Sequence, residues 1–383
     1  MKILLITSDF ASISKPILGK KRLDLAEKLI ERGHEVSVIT LGDTGKVVNE
    51  AYKTIHVMRI PQVYNPPGMF YPVPNFPLLA KSLHFLSGKF DILHFFKQIY
   101  LVSLSAHLNI NKPKVLTIDS FPGLDYEHGH FLIDLASFIH SMTVGKSLLK
   151  KFDRLVSLSK VSVKTAMKLG VRKDKIDWIP HGIDTHEIKP DLEVEKAVRE
   201  KMRLKGPVFS FIGRLSSVKG MIYLVSATKQ LERSGIEGNL LIIGDGPERN
   251  RLLALRKNKN MKVHFLGFQK NAVRFIQASD FIVLPSLAEG CPNVVLEALA
   301  CGKPVIASKV GGVPDLVNHM KTGILVNPKD VRQLVEAVYG LITDPYQART
   351  MGKEARKVAE KRLGWNTIIG KYEMVYRQVL ESP

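Results

Sequence analysis

Residues 281–307 read FIVLPSLAEGCPNVVLEALACGKPVIA. The run Phe281–Leu284 is four apolar residues closed by Pro285 and Ser286, the length and ending of a buried strand. Glu289 and Gly290 then form a loop, and Pro292 suits the first turn of a helix. The apolar helix that follows, Asn293–Ala300, runs on to a glycine stop at Gly302. Pro304–Ala307 is again a strand. Strand, loop, helix and strand in this order make one β-α-β unit, the building piece of a doubly wound parallel sheet.

The same rhythm extends in both directions. Towards the N-terminus, VFSFIGRL ends a strand at a glycine, and Met221–Glu232 has helical periodicity. Further strands are expected at Leu240–Ile243, Val263–Leu266 and Ile324–Val326. Helices are expected at Glu193–Arg203, Glu248–Leu255, Ala272–Gln277, Val313–Val317 and Val331–Leu341, and the last thirty residues read as helical throughout. The start of the chain repeats the pattern independently. Lys2–Thr7 is a strand, Lys21–Glu31 carries an apolar stripe stopped by Gly33, and Glu35–Thr40 is a strand. Short strands recur at Ile55–Ile60, Ile92–Phe95, Val115–Ile118 and Arg154–Ser157, with a helical pattern over Leu78–Leu86. The proline- and aromatic-rich stretch Pro61–Pro77 reads as a long loop. The expected fold is therefore α/β, two Rossmann-like doubly wound domains. A chain of 383 residues exceeds what one core serves, which agrees with two.

Composition narrows the function. The formal charge is +20, with 26 basic against 17 acidic residues up to position 190 and 30 against 19 beyond it. The excess is spread over both halves and is not a basic tail. Nucleic acid, an anionic membrane surface or a phosphate-bearing substrate could use it, and a generally lysine-rich surface would account for it without any partner. No nucleic-acid module or clustered aromatic platform stands out, so no nucleic-acid partner is expected. Cys291 and Cys301, the two cysteines, form no disulfide framework, and reduced thiols in the cytoplasm are the simpler reading. No run of roughly 20 uninterrupted apolar residues occurs, so no spanning helix is expected. A peripheral place on the inner face of the cell membrane stays open.

Two clusters carry chemistry. In FIGRLSSVKG, Gly213, Arg214 and Lys219 follow a strand directly, in a loop leading to a helix. Ligands bind at such carboxyl-end loops. Glycine admits a ligand to the backbone, and two cations suit phosphate oxygens, although two solvated surface cations would look the same. In the second cluster, the amides of Asn293, Val294 and Val295 would point out of a positive helix N-terminus towards a phosphate. Glu289 lies ahead of that terminus and Glu297 one turn inside it. A carboxylate within an otherwise apolar helix is costly unless it has a partner, which favours a functional role for Glu297.

With these motifs in order, the chain resembles the retaining glycosyltransferases of GT-B architecture, family 4. FIGRLSSVKG, IIGDGPER, VHFLGF, the double-glutamate segment, VGGVPDLV and TGILVNPKD cover most of residues 208–330. The resemblance implies a cleft between the two domains. It implies residues 1–190 as an acceptor-binding domain, with a helix at about 362–383 packing back on it, and residues 191–361 as the nucleotide-sugar domain. It further implies that Arg214 and Lys219 grip the diphosphate, that Glu289 touches the donor sugar and that Glu297 takes the ribose hydroxyls. Gly267 and Phe268 would meet the base, with the loop Gly290, Cys291, Pro292, Asn293 and Val294 completing the donor site. The first half matches less closely. ERGHEVSVIT, FDILH and IPHGID are similar to family elements. Of a usual glycine pair near the donor phosphate only Gly19 is present, followed by Lys20. Where many members have a histidine after the strand corresponding to Val115–Ile118, this chain has Asp119, which becomes the acceptor-side candidate and equally suits a turn before Pro122. His94 and His181 are weaker candidates.

The activity so implied is transfer of a hexose from a UDP- or GDP-sugar to an acceptor hydroxyl on a glycan or a lipid-linked sugar, with retention. No cofactor and no metal are expected, since no Asp-x-Asp occurs and Arg214, Lys219 and the helix terminus can meet the leaving charge. The segment Tyr64–Phe76 and the cluster Lys146, Lys150, Lys151 and Arg154 are compatible with an anionic membrane. A sugar phosphorylase, an epimerase or a non-catalytic nucleotide-sugar binder would share the fold.

Overall fold

The computed structural model describes residues 1–10, 19–64, 73–97, 101–127, 131–253 and 260–381. The chain divides into two compact units, one built from Met1–Asp125, Phe131–Gly182 and Asn366–Pro383, the other chiefly from Ile183–Trp365.

The first unit is organised by a nine-stranded sheet. Its strands are β1 (Lys2–Ile6), β2 (Glu35–Gly42), β3 (Val48–Tyr52), β4 (Ile55–Tyr64), β5 (Val73–Pro74), β6 (Ile92–Phe96), β7 (Lys114–Ile118), β8 (Arg154–Ser157) and β9 (Ile176–Trp178). They lie in the order β3-β4-β2-β1-β6-β7-β8-β9, with β5 on β4. All pairs are parallel except β3 with β4 and β4 with β5. The central strands KILLI, ILHFF and KVLTI are apolar almost throughout because both of their faces are covered. Leu4, Ile39, Phe95, Leu116 and Ile118 share one core beneath them.

The second unit has a six-stranded parallel sheet of β10 (Val208–Ile212), β11 (Gly238–Ile243), β12 (Met261–Gly267), β13 (Phe281–Leu284), β14 (Val305–Ser308) and β15 (Gly323–Val326). Their order is β12-β11-β10-β13-β14-β15. Chain order reverses between β10 and β13 here, and between β1 and β6 in the first sheet. Reversals of this kind leave a crevice at the carboxyl ends of the two strands concerned, where ligands bind in such sheets.

Several sequence expectations change. The segment 61–77 is not one loop: β4 runs on to Tyr64, and β5 pairs back on it at Gln62 and Tyr64. Pro61 remains in the strand because the pairing of β3 with β4 ends at Arg59, and its carbonyl accepts from Asn75 N–H at 2.9 Å. Residues 65–72 of the expected loop lie outside the described residues. The alternating VNEAY of β3 forms an antiparallel strand that apolar runs do not signal. The end of the chain is two helices, Pro345–Val358 and Trp365–Glu381, joined by a wider turn Ala359–Leu363 and interrupted at Gly364, which is extended. The helix after Pro292 is Asn293–Ala300, ending two residues before Gly302, and Pro292 is its extended N-cap.

The terminal helix belongs to the first unit through a polar contact in the middle of the core. His94 on β6 is fully buried, with Nδ1 at 2.7 Å from the Tyr376 hydroxyl and Nε2 at 2.8 Å from Thr117 Oγ1. Both ring nitrogens are thus partnered, and the histidine is a packed one. Burial pushes its pKa from 6.5 down to about 3. The folded state therefore holds the neutral ring, while the unfolded chain takes up a proton below 6.5. This contribution is full above pH 6.5 and is lost progressively as pH falls towards 3. Melting temperatures of the parent and of His94→Asn, compared between pH 7 and pH 5, should show the larger fall in the parent. Tyr376→Phe, which strips Nδ1 of its buried partner, should cost about 1–3 kcal/mol at pH 7 in urea unfolding.

Candidate active site

The reversal point of the second sheet carries the loops that follow β10 and β13, and glycines lock them together. Gly213 donates its N–H to the Ile243 carbonyl, and a Cβ on Gly244 would overlap the Gly213 carbonyl oxygen. A Cβ on Gly220, which has φ +70°, would overlap the Pro285 carbonyl, and Leu287 N–H donates to Val218 at 2.7 Å. A Cβ on Gly311, at φ +49°, would overlap the Glu289 carbonyl, while Gly312 N–H donates to Gly290 at 3.0 Å. Four neighbouring strand ends, those of β11, β10, β13 and β14, are in this way held backbone to backbone, closer than any side chain permits.

Onto this platform the loops bring Lys219 and Glu289. Lys219 Nζ donates to Glu289 Oε1 at 2.6 Å, and the wholly buried Ser286 Oγ donates to the same oxygen at 2.6 Å. The Glu289 side chain is 7% exposed and that of Lys219 26%. A carboxylate so far out of water needs such donors. Ser286 was not among the residues singled out from sequence. The signal available was its place between strand end and glutamate, with the packing of the loop left to the fold.

The other residues fall around this pair. Arg214 is exposed at the start of the β10 loop. Gly290, Cys291 and Pro292 link Glu289 to the helix. Cys291 is buried and forms no disulfide, whereas Asn293 is exposed. Val295 N–H is taken by the Pro292 carbonyl at 3.1 Å, so it does not point out to a ligand as expected; the helix has no side-chain cap. Asn293 and Val294 are its first two positions. Glu297 is half-buried on the same helix, flanked by buried Leu296 and Ala298. At the end of β12, Gly267 has φ +64° with open space where a Cβ would stand, and Phe268 beside it is 67% exposed.

The reversal point of the first sheet holds a second cluster. Gly19, at φ +67°, caps the helix Lys20–Glu31, and a Cβ there would meet Asp9 O at 2.6 Å and Phe10 Cα at 2.9 Å. Arg22 grips both carboxylate oxygens of Asp9. Lys97, directly after β6 and at φ +58°, brings Nζ to 3.6 Å from Asp119 Oδ2. Lysine in the left-handed region is uncommon and strained, a feature concentrated at functional positions. Ser103 Oγ helps to hold it there, donating to the Lys97 carbonyl at 2.9 Å. Partly buried His181 is pushed down to about 3, first by desolvation and then by Lys21, Arg22 and Lys97, against the pull of Asp119. Asp119 is thus one member of a mostly cationic group, and the imidazole among it is neutral at pH 7. Lys97, Lys21 and Arg22 were not anticipated.

Family comparison bears directly on this arrangement. The family model "Glycosyl transferases group 1" matches residues 194–358, the stretch holding the locked loops. The model "Glycosyltransferase Family 4" matches residues 23–187, and the two take in most of the chain. The chain belongs to glycosyltransferase family 4. Among curated relatives of this glycosyltransferase, N-acetyl-alpha-D-glucosaminyl L-malate synthase of Bacillus anthracis is 26% identical, covering 94% of this chain and 93% of its own. Sucrose-phosphate synthase from Thermosynechococcus elongatus has the same fold, with a TM-score of 0.79 at 24% identity over 99% of both chains. Anabaena HepE in complex with UDP-glucose aligns at a TM-score of 0.76 and 22% identity, over 99% of this chain and 100% of that one. The two parallel α/β sheets are those of the GT-B fold.

The Lys219–Glu289 contact can be tested as a pair. Lys219→Ala leaves the buried carboxylate to the Ser286 hydroxyl, and should lower the unfolding free energy by about 1–3 kcal/mol. Adding Glu289→Ala should then cost less than it does alone. Urea unfolding of the parent, both single variants and the double variant gives the coupling; strict additivity would show the contact to be energetically empty.

Proposed function

We propose that the second unit binds the nucleotide diphosphate of a UDP- or GDP-hexose and that the enzyme transfers the hexose, with retention and without a metal, to a hydroxyl of a sugar or lipid-linked acceptor. The observation that carries this reading is the Lys219–Glu289–Ser286 contact at the reversal point of the sheet, held by loops locked at backbone level. Departure of the diphosphate builds negative charge, and a catalyst gains only by stabilising that charge more than the ground state. Lys219 has donors beyond the one it gives Glu289, and with Arg214 it supplies two cations to phosphate oxygens. The open end of the helix at Asn293 and Val294 adds backbone N–H groups.

Glu289 works on the sugar side. Its Oε1 is occupied by Lys219 and Ser286, which fixes the carboxylate so that it can accept from a hexose hydroxyl without reorganising. One turn into the helix, half-buried Glu297 takes the ribose hydroxyls. Gly267 and exposed Phe268 offer an open backbone and a ring face to the base. In the first unit, Gly19 offers backbone free of a side chain to a phosphate oxygen, and Asp119 receives the acceptor hydroxyl. Neutral His181 is a further acceptor of that hydrogen bond. HepE, in its solved complex, holds UDP-glucose, which supports a UDP- or GDP-sugar here.

The test is thermal stabilisation by UDP-, GDP- and ADP-sugars in EDTA. One donor should raise the melting temperature of the parent and leave Glu297→Ala unmoved. At a hundredfold excess over Kd the gain should be roughly 2.7 kcal/mol. Persistence of the shift in Glu297→Ala removes that residue from the site, and a shift that vanishes with EDTA overturns the metal-free reading. Release of a sugar 1-phosphate on adding inorganic phosphate would make the enzyme a phosphorylase.

A further inference from the structure

The helix Phe131–His140 is built the wrong way round for a water-soluble surface. Its inward side is small and polar. Ser137 and Ser141 are buried, and Ser141 Oγ donates to the Pro122 carbonyl at 3.0 Å. Gly123, at φ +79°, has no room for a Cβ because the backbone of Phe138 and the Asp134 carbonyl press against it. The chain continues through Ser141–Gly145 into Lys146–Leu149, where Leu148 and Leu149 anchor it in the core. The side facing water carries Phe131, Leu132, Leu135, Phe138, Ile139 and Met142. Phe131 is 77% exposed and Ile139 53%. Ordinary surface helices show the opposite arrangement, apolar side inward.

A contiguous apolar face of this kind marks a docking surface, and its charge pattern says for what. Directly beyond it Lys146, Lys150 and Lys151 are all exposed. Between Phe131 and Lys151 the single acidic residue is Asp134, which lies on the inward side with Ser137 and Ser141. Apolar groups followed by lysines, with no outward carboxylate, match acyl chains beneath anionic headgroups. Ten residues of helix span about 15 Å, half of what crossing a bilayer needs, so such a helix lies in the plane of the interface. No helix among the described residues is long and apolar enough to cross a membrane. Arg154, grouped with these lysines in the sequence, does not belong to the face, since its guanidinium is committed to Asp177 at 2.7 Å.

We propose that the helix Phe131–His140, with Lys146, Lys150 and Lys151, seats the enzyme in the surface of an anionic bilayer. Its inward side rests on Pro122 and Gly123, in the loop that follows β7 and begins with Asp119. A lipid-borne acceptor would therefore keep its tail in the bilayer while its sugar reaches Asp119. That last step rests on the function proposed above; the seat itself does not.

The experiment is co-sedimentation of the full chain with phosphatidylcholine vesicles, with and without phosphatidylglycerol, at low and high salt. The parent should be retained by the anionic vesicles and released at least tenfold by Phe131→Ser/Leu135→Ser/Ile139→Ser. Lys146→Glu/Lys150→Glu/Lys151→Glu should lose the preference for phosphatidylglycerol. Both variants should keep the parent's melting temperature and its shift with nucleotide sugar. Failure of the parent to bind, or unaltered binding of the serine variant, overturns the proposal. So does a parent that is dimeric and a serine variant that is monomeric, which would make the face an interface between two copies. A nucleotide-sugar shift missing from every protein, with vesicle binding intact, would count against the transferase reading and leave the seat standing.

Discussion

Backbone crowding at the carboxyl ends of β10, β11, β13 and β14 is the constraint on which the second unit's chemistry depends. Parallel strands bring successive loops to one edge, but they do not by themselves hold them in register. Gly220 against Pro285, Gly244 against Gly213 and Gly311 against Glu289 do so by excluding any intervening atom. Each glycine loses more conformational freedom on folding than a residue with a side chain would. The return is a set of loops that move only together. An ion pair between two flexible surface loops contributes little, because ordering the side chains offsets the attraction. Lys219 and Glu289 meet on loops already fixed, with Ser286 wholly buried beneath them, and their geometry therefore persists.

The first unit solves the same problem with charge. Its reversal point, between β1 and β6, is braced by Arg22 on Asp9 and by Lys97 reaching Asp119. One glycine, Gly19, makes a close backbone approach there. The result is a cationic group around a neutral imidazole, less rigid in principle than interlocked backbone.

Much of this was legible from residue order, because parallel strands buried on both faces are written as short apolar runs and their helices as stripes. The strand Phe281–Leu284 has the boundaries expected of it, and the helix Asn293–Ala300 stops only two residues short of its glycine. Resemblance singled out four charged residues, Arg214, Lys219, Glu289 and Glu297. Their mutual contact was not legible, since Lys219 and Glu289 lie 70 positions apart and nothing local joins them. VNEAY was missed because an edge strand half in water has no apolar run. The helix Phe131–His140 was missed for the opposite reason: with large apolar residues outward and serines inward, its pattern reads as an interrupted buried segment. In the same way Lys97 carries no sign of its left-handed backbone, which follows from the loop closing beneath Thr117 and Ser103.

The buried contact of His94 with Tyr376 has a consequence for how the protein is made. The first unit is discontinuous in sequence, completed by residues 366–383, while the second is nearly one unbroken stretch. Synthesis runs from the N-terminus at about 5–20 residues per second. When Gly182 has emerged, the face of the sheet bearing His94 is still bare and its ring nitrogen unsatisfied. It stays so for the roughly 10–40 s that translation of the following 200 or so residues takes. The second unit can close its own core within that interval. Maturation thus runs in reverse of synthesis: the half made first is finished last.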